Sequence, residues 1–233
     1  MKALFTSPMF GILLSLVAFE IGLWIQKKTK LLVLNPLLLA ITMIIVLLLL
    51  CDIPLSSYQV GGNMINMFLG PATVVLAIPL YRQAHNLKYY FAPIMIGICA
   101  GVVCGLTSTL LCSMLMGFDR EIIASIMPKS ITTPIGIELS AQLGGIEAVS
   151  VLTILVTGIM GAVVADMVFR IFHIDHPIAK GVALGTSAHA IGTTKALSLG
   201  HIEGAMSSLA IGVSGLITVF CAPVVWDMIQ AFL

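Results

Sequence analysis

Pro128-Lys129-Ser130-Ile131-Thr132-Thr133-Pro134 stands at the centre of residues 121–145, a stretch with apolar flanks. Proline removes a backbone donor and pushes the residue before it out of helical geometry, so Pro128 and Pro134 break any helix that runs through here. Residues 178–200 have the same build around Gly185-Thr186-Ser187-Ala188-His189-Ala190-Ile191-Gly192-Thr193-Thr194-Lys195, with Gly185 and Gly192 as the expected breaks in place of prolines. What such breaks mean depends on the medium around them.

That medium is lipid. Of 233 residues 59% are hydrophobic and 9% charged, with a mean hydropathy of +1.13, far from the balance of a soluble domain. A crossing helix needs roughly 20 apolar residues, which leaves room for about six to eight membrane segments. Apolar spans cover residues 8–25, 31–50, 90–116, 146–169 and 205–233. A shorter one, residues 64–81, is interrupted by Gly70-Pro71 and Pro79. The first span follows Lys2 and ends in Gln26-Lys27-Lys28, not in a small-residue cleavage site, so it reads as a retained span. A net charge of +1 offers no broad basic surface and excludes nucleic-acid binding. Cys51, Cys99, Cys104, Cys112 and Cys221 have no CxxC spacing and read as packing residues, with no metal site.

Basic residues in short loops stay cytoplasmic. Lys27, Lys28 and Lys30 place the first loop inside, and Arg82 with Lys88 the third, so residues 52–62 and 117–121 form outside loops and the amino terminus is outside. Arg170 and Lys180 also belong inside, and the span at residues 146–169 supplies the one crossing that takes the chain there. Residues 121–145 then enter and leave from outside, residues 178–200 dip in from the cytoplasm, and the carboxyl terminus is outside. The expected fold is an all-α membrane protein with about six full transmembrane helices and two re-entrant or broken helical hairpins, arranged like a secondary transporter. Residues 1–233 form one integral membrane domain, in which 1–90 supply scaffold spans and 91–233 a hairpin-containing transport bundle.

Irregular backbone survives at membrane depth only where protein or a watery cavity surrounds it. Half-helices that meet at such a break present free N–H groups suited to an anion. Ser130, Thr132 and Thr133 add hydroxyl donors there. Lys129 in the bilayer needs an anion, a carbonyl or water; the alternatives are a substrate carboxylate or internal partner, and snorkelling from a shallow hairpin. In the second stretch Gly181, Gly185 and Gly192 fit one packing face of a helix, while Thr186, Ser187, His189, Thr193 and Thr194 suggest a site as well. His189 either carries a proton or fixes a carboxylate, or is a neutral ring satisfied by a backbone carbonyl. The break at Pro71 flanks the same cavity or is an ordinary kink, and Asn35-Pro36 is equally open. Glu20, Glu138 and Asp166 are the acids available to Lys129, Lys195 or Arg170. Opposed polar breaks of this kind are where secondary transporters bind substrate and coupling ions. No nucleophile elbow, HExxH motif or P-loop occurs, so no catalytic residue is assigned and no enzyme is expected.

Four stretches carry a resemblance: Leu34-Asn35-Pro36-Leu37; the run from Pro71-Ala72-Thr73 to Pro79-Leu80-Tyr81; Pro128 through Ile135; and Ala179-Lys180-Gly181 through Gly185-Thr186-Ser187-Ala188-His189-Ala190-Ile191-Gly192-Thr193. They are similar to motifs of the LrgB/CidB (YohK) family of bacterial inner-membrane proteins, over essentially the whole chain. That resemblance implies a multi-pass protein of the bacterial inner membrane with a small LrgA/CidA-like membrane partner. It carries two functional implications. One is an antiholin-like or holin-like modulator of murein hydrolase activity, autolysis and programmed cell death. The other is transport of small monocarboxylates: the plastid glycolate/glycerate translocator contains an LrgB-like part, and bacterial members are linked to pyruvate uptake. Lys180 stands where an Arg is common. Uniformly apolar spans with polar residues gathered in two hairpins favour a carrier over a lesion-forming pore. The expected partners are thus a small carboxylate, the lipid bilayer, the LrgA/CidA-like protein and further copies of the chain in a homodimer or higher oligomer. No cofactor is expected beyond a coupling ion, proton or sodium.

Overall fold

The computed structural model describes residues 7–29, 31, 34–68, 71, 74, 81 and 90–230, and the regular structure among them is helical. The chain forms two compact units, Met1–Val74 and Val75–Leu233.

The first unit contains α1 (Pro8–Thr29), α2 (Pro36–Leu50) and α3 (Leu55–Asn66). Helix α1 continues past residue 25 and carries Lys27 and Lys28 in its last turn, where cations complement the helix dipole. Helix α2 starts at Pro36, five residues after the expected start of its span. The reason is local: the Asn35 side chain accepts the Leu37 N–H at 2.9 Å, and Pro36 takes the first helical position, where its missing donor costs nothing. Helix α3 occupies residues expected to be an outside loop. Its Gly61 packs directly on Gly11 of α1, with a distance of 2.8 Å from an ideal Cβ at Gly61 to the Gly11 Cα, so no larger residue fits. A bond of 2.9 Å between the Ser15 and Tyr58 hydroxyls ties the same two helices together. Gly61 thus serves as the contact point of α3 on α1. Residues 69–70, 72–73, 75–80 and 82–89 lie outside the described residues. With them lie most of the span at residues 64–81, the surroundings of the break at Pro71, and the basic pair Arg82 and Lys88.

The second unit contains α4 (Phe91–Leu115), α5 (Arg120–Ile126), α6 (Thr133–Gln142), α7 (Glu147–Ile171), α8 (Pro177–Leu199) and α9 (His201–Gln230). Helices α1, α4, α7 and α9 are each long and apolar enough to cross a membrane; α2 is apolar but shorter. Large apolar side chains such as Leu111, Leu115, Phe220 and Met228 face outward on these helices. A soluble surface rarely tolerates that, and a hydrocarbon phase requires it. Ile98 and Leu106 of α4, Ile123 of α5, Leu139 of α6, and Met206 and Leu209 of α9 share one buried core.

Between α5 and α6 the chain turns at Met127 to Thr132, where the prolines predict a break. Pro128 is buried in the turn and Pro134 sits in the first turn of α6. This hairpin lies along the first half of α7. The Ser150 hydroxyl donates to Ser140 at 2.6 Å, the Ile146 N–H donates to the Ser125 hydroxyl at 2.6 Å, and Gly136 faces Ile154.

Helix α8 also reverses, but at a different residue from the one expected. Its backbone leaves helical geometry at His189 (φ 41°, ψ −131°), not at Gly185 or Gly192. Gly192 comes back against the Leu184 carbonyl, and Leu184 and Ala196 share a core cluster with Ala165 and Phe169 of α7. In a straight helix Leu184 and Gly192 would be about 12 Å apart. The two arms are therefore residues 177–188 and 190–199, folded side by side. Gly185 and Gly192 lie within these arms as contact points, because each abuts a carbonyl oxygen, of Ser207 and Leu184 respectively, with no room for a Cβ. The doubled helix lies along the second half of α7: Ala188 abuts Gly161, Lys195 pairs with Asp166 at 2.6 Å, and the Lys180 Nζ lies 5.9 Å from the Phe169 ring centroid.

Candidate functional site

The two hairpins approach α7 from opposite ends, and their tips meet near its middle. Gly136 of the first faces Ile154, while the His189 ring of the second packs on Gly158. Gly105, near the middle of α4, faces the Ser130 hydroxyl, and Gly101 faces the Thr186 methyl. A cavity of about 810 Å³ opens at this level. Lys129 and Ser130 line it from the first tip, Thr186 and Ser187 from the first arm of α8, and Thr157 from α7. Gly97, Gly101 and Gly105 of α4 form much of the opposite wall.

Lys129 is the one charged side chain in this lining, which contains no carboxylate. Among the described residues the ion pair is Lys195–Asp166, so the acids considered for Lys129 are placed elsewhere: Asp166 is taken and Glu138 is exposed. A half-buried ammonium in a cavity without a carboxylate gives the space a positive potential that low-dielectric walls strengthen. The Thr186 hydroxyl is buried and makes no hydrogen bond, as is the Thr132 hydroxyl just behind the tip. A buried hydroxyl left unpaired costs about 1–3 kcal/mol, so each would gain from an acceptor brought within its reach. Ser187 donates to the Ala183 carbonyl at 2.7 Å and keeps a lone pair for the cavity.

The nine candidate polar residues do not form one cluster. Lys129, Ser130, Thr186 and Ser187 share the cavity, whereas Thr132, Thr133 and His189 stand beside it without lining it. The His189 ring is fixed: its Nε2–H donates to the Ile154 carbonyl at 3.0 Å. The satisfied-ring alternative therefore describes the geometry. Thr193 turns away to meet the Ser207 hydroxyl of α9 at 2.7 Å, and Thr194 is exposed. The physical reason is the reversal at His189, which redirects the second arm so that Thr193 meets α9 and Thr194 points outward. Thr157, Ser108 and the α4 glycines were not among the candidates. The four-residue spacing of Gly97, Gly101 and Gly105 was the signal that could have found one wall, since it aligns small residues on one helix face. Among the described residues no group of three or more His, Cys, Asp or Glu side chains is gathered to hold a metal ion.

These features define a multi-pass membrane protein in which two doubled-back helical segments meet at a polar cavity. The LrgB-like family model matches residues 15–228, and the chain belongs to that family. It is 37% identical over 224 residues to the antiholin-like protein LrgB of Bacillus subtilis (strain 168), covering 96% of this chain and 97% of the relative. It is 35% identical over 218 residues to proteins of the same name from Bacillus mycoides (strain KBAB4) and Bacillus cereus (strain B4264), covering 93% of this chain and 95% of each. No solved structure matches the chain.

Proposed function

We propose that this protein is a secondary transporter of small monocarboxylates, of the pyruvate, glycolate and glycerate type, in the bacterial inner membrane. The supporting observation is the cavity itself: Lys129 without a carboxylate partner, with Ser130 and Thr186, between two hairpin tips. A small organic anion supplies the negative charge and the acceptors that this lining lacks.

The hairpins are re-entrant in this reading, among about six crossings. Arms at residues 177–188 and 190–199 measure about 18 Å and 15 Å, roughly half of a 30 Å hydrocarbon core, so each stops near the midplane. The hairpin at residues 121–145 enters from outside and the one at 178–200 from the cytoplasm. Each closes the site on its own side, and alternating closure moves the substrate across. The bundle of residues 91–233 carries the site, a proton or sodium ion supplies the driving force, and an LrgA/CidA-like protein and further copies of the chain complete the assembly. No enzymatic step is involved.

A second reading has its own support, because the relatives carry the name antiholin-like protein LrgB. In it the chain modulates murein hydrolase activity and autolysis without moving a substrate. Counterflow of labelled pyruvate, glycolate and glycerate in proteoliposomes, with and without the companion, separates the two. Saturable exchange with no leak of an unrelated dye supports the carrier. Absence of exchange in both preparations sinks it, and dye leak would replace it with a pore.

A further inference from the structure

The polar cavity has a neighbour of different chemistry. Between the start of α4 and the first arm of α8 lies an open, groove-like chamber of about 450 Å³, lined by Tyr90, Pro93, Ile94, His176, Ile178 and Ala179, of which Ile94 is buried and Ile178 half-buried. The two spaces share Gly97, Val182 and Ala183, so they adjoin at these residues, an open neck in which Gly97 and Ala183 are exposed. On one side of the neck stand an ammonium and hydroxyls; on the other, apart from Tyr90 and His176, the side chains are hydrocarbon. A carboxylate gains nothing from the apolar chamber, whereas each methylene buried there strengthens binding about fourfold.

We infer that the substrate class includes monocarboxylates with an aliphatic tail, the carboxylate lying at Lys129 and Thr186 and the tail passing Gly97 and Ala183 toward Ile94 and Ile178. The inference rests on the transport reading above and extends its substrate class. Gly101, which faces Thr186, and Gly97 are about 6 Å apart along α4, and Ile94 lies about 4.5 Å further. By that measure an acid of about five carbons reaches the neck and one of about eight enters the chamber, while a three-carbon acid stays among the polar groups. If the chamber were only an entry path for water and small acids, tail length would leave affinity unchanged.

The neck can be narrowed without breaking the fold. An ideal Cβ on Gly97 lies 3.8 Å from the Val182 Cγ1, an ordinary contact, so Gly97→Ala fits as it stands. Ala183 is exposed, so Ala183→Leu also has space. Occupancy can be read on the full chain by alkylation with a small maleimide, quantified by mass spectrometry at Cys104, which lines the polar cavity. Cys99, an exposed thiol on the same helix, is the internal reference. Octanoate is expected to protect Cys104 at a concentration at least tenfold lower than propanoate. In Gly97→Ala and Ala183→Leu that advantage, taken as the ratio of octanoate to propanoate protection within each variant, should fall severalfold. Equal protection by the two acids, an advantage that survives both substitutions, or protection extending equally to Cys99 would overturn the inference. Pyruvate counterflow on the same preparations keeps the two ideas separate. Exchange without tail-length dependence removes this inference alone, and tail-dependent protection without exchange removes the transport reading and leaves the two-chamber site.

Discussion

Asp166→Asn and Lys195→Met break the same ion pair, yet their costs should differ widely. The Lys195 ammonium lies 2.6 Å from the Asp166 carboxylate, with 9% of the lysine side chain exposed against 50% of the aspartate. At an effective dielectric constant near 20 the gross attraction is about 6 kcal/mol. Screening of the half-exposed carboxylate and desolvation of the ammonium offset most of it. What remains on deletion depends on the charge left behind. Asp166→Asn strands a buried ammonium and should cost about 2–3 kcal/mol. Lys195→Met leaves a carboxylate that solvent can hydrate, and the methionine fills the same space, so the cost should be about 1 kcal/mol or less. The double substitution should behave like Lys195→Met. At about 2–4 °C per kcal/mol for a chain of this size, Asp166→Asn lowers the melting temperature by roughly 5–10 °C and Lys195→Met by less than about 4 °C. Thermal unfolding of the purified protein can be followed through Trp226, which is buried in the same unit. A Lys195→Met protein as unstable as Asp166→Asn would refute the reasoning, because the stranded charge would then not be the cause.

Other consequences follow from single contacts. A Cβ at Gly101 would lie 2.7 Å from the Thr186 methyl, so Gly101→Val should push into the cavity and abolish carboxylate exchange, whereas Gly97→Ala should retain exchange of pyruvate; equal activity in both would count against the proposed site. His189 holds φ at 41°, a region that glycine adopts freely and other residues do not, so His189→Gly should be more stable than His189→Ala by about 1 kcal/mol even though both lose the bond to Ile154. The reverse order in thermal unfolding would mean that the backbone there is not strained. Ser125 is fully buried and accepts the Ile146 N–H, so Ser125→Ala should cost about 1–2 kcal/mol; an unchanged melting temperature would show that the amide finds another acceptor.

The sequence was most legible where one residue type has one physical consequence. Pro128 and Pro134 forbid a continuous helix, and the chain turns between them as expected. The long apolar runs became α1, α4, α7 and α9, because in lipid such runs have no other stable form. Glycine is ambiguous, and there the reading went astray. Gly185 and Gly192 fitted both a break and a packing face, and only the packing face holds, while the reversal fell on His189, whose ring packs on Gly158 and bonds to the Ile154 carbonyl. Helix α3 went unseen because residues 52–62 were assigned to an outside loop from the basic residues on either side, and charge placement says nothing of the local structure of a connection. Of the candidate site, Lys129, Ser130, Thr186 and Ser187 could be found because polar groups are rare in such a chain. Thr193 and Thr194 could not be separated from them, since the turn that redirects the second arm is a tertiary effect. Thr157 and the α4 glycines belong to helices that look uniformly apolar, so only the packed structure reveals them as walls. Asp166 was one of three acids available to Lys195, and sequence spacing gave no ground for choosing among them.

The most direct test of the central claim is pyruvate counterflow in proteoliposomes by the wild-type chain, Lys129→Ala and Thr186→Val, each first shown to be folded by its melting temperature. A cavity that binds the carboxylate between the hairpin tips predicts saturable exchange in the wild type, its loss in Lys129→Ala and a marked rise in half-saturation in Thr186→Val. Undiminished exchange in both variants would contradict it.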